Sequence, residues 1–100
     1  MCYHLKTSHG NTLAVIDDNC GISKFYAIAH TLTSELKVNF LNQVDDAESL
    51  DWDFRYKNHV LTLQYNIFNG ISIFPQHQKN LHQENNAVIE VAHFLERRAY

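Results

Sequence analysis

LDWDFRYKNHVLTLQYNIFNGISIFP, residues 50 to 75, is the stretch whose reading decides the fold. Trp52, Phe54 and Tyr56 alternate with Asp53, Arg55 and Lys57, giving one apolar and one charged face. A period of two marks a β-strand, because successive side chains point to opposite sides of a sheet. After Lys57-Asn58-His59 the alternation resumes, with Leu61, Leu63, Tyr65 and Ile67 set against Thr62, Gln64 and Asn66. Asn69-Gly70 is a tight-turn signal, since both residues tolerate positive φ, and Ile71 and Ile73 follow it. The expected structure is a three-stranded antiparallel meander with one strongly apolar face.

Upstream, residues 3–8 and 12–17 read as two short strands joined at Gly10-Asn11, a pair suited to a two-residue hairpin loop. Leu13 to Ile16 is apolar on both faces, as an interior strand requires. Ile22, Phe25, Ala29, Leu32 and Leu36 then recur at spacings of three and four, the stripe of an amphipathic helix. Ser23 or Asp18 is the expected N-cap, with Lys24 facing water. Residues 38–44 read as a weaker strand. Residues 76–86 are polar and aperiodic, so a loop is expected there. A second helix over residues 86–98 follows, with Val88, Val91, Ala92, Leu95 and Ala99 on its apolar stripe. The expected architecture is α+β: a two-layer sandwich with a mainly antiparallel sheet of five or six strands and two helices on one face. The element order is β-β-α-β-β-β-β-α.

One hundred residues make a single domain, which buries roughly 65% of the surface of its unfolded chain. With 45% apolar and 19% charged residues, the composition is that of a folded globule rather than a disordered chain. The net charge of −3 gives no global footprint for nucleic acid. No apolar run approaches the ~20 residues that cross a bilayer, so no membrane partner is expected. The N-terminus lacks the hydrophobic core of a signal peptide, and Cys2 and Cys20 are expected to be reduced thiols in a bacterial cytoplasm. Cys2 becomes an N-terminal nucleophile only if Met1 is removed, and the chain is too short for the four-layered fold that uses one.

Cys20-Gly21-Ile22-Ser23 stands between a strand and a helix. A thiol at a helix N-terminus gains from the dipole, which favours the thiolate that does the chemistry. These four residues are similar to the CGFS motif of monothiol glutaredoxins. The resemblance implies a thioredoxin-like fold and a thiol at Cys20 that exchanges with glutathione or holds an iron-sulfur cluster. Such proteins place a helix between their second and third strands, where residues 45–50 of this chain are too short for one. The plainer expectation is a turn cysteine without chemistry, because Asp17 and Asp18 oppose a thiolate there.

Seven histidines are a compositional oddity. Zinc sites need four convergent ligands, commonly in close pairs. His77 and His82 have a compatible spacing, but no cysteine pair accompanies them, and His30 and His93 lie beside apolar stripes on different helices. No metal or other cofactor is expected. Asp45, Asp46, Glu48, Asp51 and Asp53 form a dense acidic segment, the best candidate for binding a basic protein partner. Two nearby carboxylates do not make an enzyme without a nucleophile, a pocket and an oxyanion donor beside them. The outer face of the meander, with Asp53, Arg55, Val60, Thr62, Gln64, Ser72 and Phe74, is mild enough to pair with a second copy as a homodimer. The leading expectation is therefore a non-enzymatic protein-binding or regulatory domain. The alternative is a thiol-dependent redox or iron-sulfur protein using Cys20.

Overall fold

The computed structural model describes residues 3–6, 12–18, 20–75 and 81–96. In chain order the elements are β1 (Tyr3–Lys6), β2 (Thr12–Asp17), α1 (Ile22–Glu35), β3 (Phe40–Asp45), β4 (Ser49–Tyr56), β5 (His59–Asn66), β6 (Gly70–Pro75) and α2 (Leu81–Glu96). This is the expected α+β order. One six-stranded sheet holds all the strands in the sequence β1-β2-β6-β5-β4-β3, and every neighbouring pair is antiparallel. The meander of β3 to β6 folds back until β6 lies beside β2, so β2 is interior, as its two apolar faces require.

The register puts Leu50, Trp52 and Phe54 of β4 opposite Tyr65, Leu63 and Leu61 of β5. Leu63 and Tyr65 in turn face Ile73 and Ile71 of β6, and Ala14 of β2 also lies opposite Ile73. These side chains make one layer of the core. The other layer is Phe25, Ile28, Ala29 and Leu32 from α1 with Ala87, Val88, Val91, Ala92 and Leu95 from α2. Both helices thus cover the same face, since neither apolar stripe is stable in water alone. Phe25 sits at the centre of a ring cluster, with centroids 5.0 Å from Trp52, 5.8 Å from Tyr26 and 6.3 Å from Tyr65. Phe40 extends it from β3, 5.3 Å from Trp52 and 5.8 Å from Phe54.

Several local expectations are corrected. Ile22 is exposed, and Ile28 takes its place in the stripe of α1. Gly21 is the N-cap residue and no side chain caps the helix. Lys24 does not simply face water: its Nζ lies 2.7 Å from Asp17 Oδ2 and the pair is half-buried. The second helix begins at Leu81 rather than near residue 86, so the latter part of the expected loop is helical. Its first turns carry no apolar period for the sequence to show, because helix formation there is driven by the packed turns that follow. Strand β3 starts at Phe40, and a register shift between Phe40 and Asn42 puts Phe40 on the helix side and Val44 on the other. Val38 precedes the strand and is buried in the core. Residues 7–11, 76–80 and 97–100 lie outside the described residues, and with them Gly10-Asn11, His77, Ala99, Arg97 and Arg98. Cys2 and residue 19 lie outside them as well.

The turns explain the meander. Lys57 and Asn58, at φ 47 and 68, form the two-residue connection between Tyr56 and His59. Both central residues are left-handed there, which matches the twist of the flanking strands. The next connection differs from expectation. Only Gly70 has positive φ, at 77, and the turn is residues 67–69. Asn66 sets it up instead, its Oδ1 accepting from the Phe68 N–H at 2.7 Å. Ile67 therefore leaves the apolar face and is exposed with Phe68.

Candidate functional site

The acidic segment does not form one patch. The β3–β4 hairpin and the pleat of the strands divide it three ways. Asp45 ends β3 on the helix side, where its Oδ1 accepts from the Trp52 indole Nε1–H at 2.8 Å. Asp51 and Asp53 point from β4 to the opposite, outer face. Thr62 donates its hydroxyl to Asp53 Oδ1 at 2.6 Å, and Gln64 donates Nε2–H to Asp51 Oδ1 at 2.7 Å. Asp53 is only 7% exposed. A buried carboxylate needs such donors, because desolvation without them costs several kcal/mol. Only Asp46 and Glu48 remain in the turn, exposed and without a side-chain partner among the described residues. The turn itself is fixed by the Asp46 N–H donating to the Ser49 carbonyl and by the Ile67 N–H donating to the Glu48 carbonyl.

The same pairing settles the outer face. Arg55 lies opposite Val60, Thr62 opposite Phe74 and Gln64 opposite Ser72, so the residues expected there do share one side of the sheet. Its centre is already engaged: Val15, Thr62 and Ser72 are buried as well as Asp53.

Strand β3 is different. It is the last strand of the sheet, and from Leu41 to Asp45 every residue is exposed. Leu41 is 52% and Val44 45% exposed, large apolar side chains on an edge with no lysine or proline to blunt it. At the far end from Asp46 and Glu48, a cleft of about 510 Å³ is lined by Lys37, Leu41, Arg55, Tyr56 and Lys57 among others. Lys57 is engaged by Glu90 at 2.8 Å, which raises its ammonium above the ordinary range. Lys37 and Arg55 have no carboxylate partner among the described residues. The edge therefore runs from a basic end to an acidic end. Sequence reasoning found the acidic half but missed the basic one, because Lys37 and Arg55 are far apart along the chain and meet only through the β3–β4 pairing.

Cys20 precedes the N-cap of α1, half-buried against the core, with its Sγ 3.8 Å from the Asp17 carbonyl oxygen. Burial pushes the thiol above its ordinary range, and the Asp17 carboxylate adds to this. Lys24 and a backbone bond at Ile71 act the other way and are outweighed. An activated thiol needs the opposite environment, electropositive and accessible. The thioredoxin-like fold implied by the CGIS resemblance is not adopted either: β3 and β4 are joined by a short turn where that fold has a helix, and the sheet is antiparallel throughout. Alkylation of Cys20 by iodoacetamide, followed by peptide mass spectrometry, is expected to rise with pH around a midpoint above ~8.5, the value of a free thiol. A midpoint below neutrality would restore the redox role.

His30 and His93 are exposed and His59 half-buried. Among the described residues no three His, Cys, Asp or Glu side chains converge as metal ligands, and no helix is long and apolar enough to cross a membrane. Compared with protein-family models, curated proteins and solved structures, the chain finds no match.

Proposed function

We propose that the domain is a non-enzymatic protein-binding module and that the β3–β4 hairpin is its binding element. The observation that carries this is the open β3 edge, apolar at Leu41 and Val44 and ending in the carboxylates Asp46 and Glu48, which have no side-chain partner among the described residues. An exposed edge offers backbone donors and acceptors to an added strand, and alternate side chains give that addition its selectivity. The carboxylates contribute mainly to encounter with a basic surface, over ~8 Å at physiological salt. The outer sheet face is the weaker of the two surfaces, since its central polar groups are already paired with one another.

Affinity capture from the native host tests this. The immobilised wild-type domain is expected to retain a protein that the Asp46→Lys, Glu48→Lys double variant does not. Kinetics on the retained protein should show an association rate that falls with salt. Asp46→Asn with Glu48→Gln should slow association much more than it speeds dissociation. Asp45 is left out of the set, because its role toward Trp52 is internal. Equal retention by both domains, with association indifferent to salt, would move binding away from the hairpin.

A further inference from the structure

We infer that the partner of the β3 edge is a second copy of this chain, paired antiparallel through β3 across a two-fold axis. The inference rests on the binding role given to the hairpin above and names its occupant. Three features of the edge agree on it. The first is the orientation of its backbone. The two-residue turn makes Tyr56 and His59 a hydrogen-bonded pair, so along β4 alternate residues bond toward β5 and the others toward β3. Asp51 and Asp53 fall in the set facing β3, and they lie opposite Val44 and Asn42. Gln43 and Asp45 therefore direct their backbone groups to the open side, where no further strand of the described residues lies in the sheet.

The second feature is the side-chain sequence. Residues directly opposite in an antiparallel pair share a face, so a two-fold copy is centred on a residue rather than between two, and Gln43, whose backbone groups point outward, is that residue. The copies then set Gln43 against Gln43, and Asn42 of each against Val44 of the other, so that each face of the sheet continues into the same face of the partner. Val44, 45% exposed in the single domain, thereby gains a cross-strand neighbour on its own face, and such pairs are the unit of sheet stabilisation. The third is charge. The two-fold axis turns the acidic end of one copy, Asp46 and Glu48, toward the basic end of the other, Lys37 and Arg55. A two-fold interface must be complementary to itself, and an edge basic at one end and acidic at the other meets that condition. The partner's turn then approaches the cleft lined by Lys37, Leu41 and Arg55.

Sedimentation velocity over a dilution series is the direct test, with far-UV circular dichroism confirming that each variant is folded. The wild-type domain is expected to dimerise at low salt and to dissociate on dilution and as salt rises. Asp46→Lys with Glu48→Lys makes both ends basic, and Lys37→Glu with Arg55→Glu makes both acidic. Each variant alone should self-associate about tenfold or more weakly than wild type, and an equimolar mixture should recover the dimer. Gln43→Pro, which removes an outward edge donor, should abolish pairing while leaving the monomer folded. A wild-type domain that stays monomeric throughout would overturn self-pairing, and the hairpin would keep its binding role if it still captured another protein. A dimer that survives both charge reversals and Gln43→Pro would overturn the β3 interface and move association to the outer face. If the hairpin variants changed neither self-association nor capture, the binding role would fall together with the inference.

Discussion

Gly70→Ala is expected to destabilise the domain by about 3–5 kcal/mol, a large fraction of the ~5–15 kcal/mol that holds such a domain together. Two effects combine. Gly70 has φ 77, a left-handed conformation that costs a side-chain-bearing residue about 1–2 kcal/mol. An added Cβ would also lie 1.9 Å from the Asp17 carbonyl oxygen and 2.8 Å from Asp18 Cα. Those atoms belong to the backbone at the end of β2, so relief requires the two strands to separate. Gly21→Ala is the control. Gly21 has φ −94 and open space around the added methyl, so only its place as N-cap matters, a cost of at most about 1 kcal/mol. Urea unfolding of both variants checks the contrast. A Gly70→Ala protein as stable as Gly21→Ala would mean that β2 does not approach β6 this closely.

Phe25→Ala should cost about 3–5 kcal/mol, through lost transfer energy and the cavity left behind. Phe25 is fully buried and holds edge-to-face contacts with Tyr26 and Trp52, so little around it can collapse into the gap. Trp52 is half-buried and relies on Phe25 and Phe40 for its cover, so its fluorescence should shift to the red in the variant. Phe25→Leu should recover part of the loss, and Tyr26→Ala, at a position 47% exposed, should cost much less. A loss under ~1 kcal/mol for Phe25→Ala would contradict the placement of α1 over the sheet.

Most of the architecture was legible in the sequence because the elements are separated by clear changes of period. The alternation in β4 and β5 and the three-four spacing of Phe25, Ala29 and Leu32 survive in the structure unchanged. Elsewhere a regular pattern misled. Ile67 continues the alternation of Leu61, Leu63 and Tyr65, yet Asn66 ends the strand by accepting a bond from the Phe68 N–H. The start of α2 was hidden because residues 81–86 are largely polar. Gly70 was readable as a turn residue, but its tighter constraint, the Asp17 carbonyl, comes from the other end of the chain.

The candidate site was only half legible for the same reason. Adjacent carboxylates such as Asp51 and Asp53 share a face because they are two apart, and they part from Asp46 and Glu48 because a turn intervenes. Nothing local announces that Lys37 and Arg55 line one cleft, or that β3 is left at the edge.

The order of strands also shapes how the domain assembles. Each pairing from β3 through β6 joins neighbours across a short turn, whereas matching Ala14 with Ile73 closes a loop spanning most of the chain. Local hairpins form in microseconds, and the entropy of a long closure must be met before its contacts are gained. The four-stranded meander is therefore expected to be in place at the rate-limiting barrier, with β2 seating on β6 afterwards. On that path the strain of Gly70→Ala falls on a contact made late. The variant should unfold much faster than the parent while refolding at nearly the same rate, so the β2–β6 seam governs how long the folded domain lasts once it has formed.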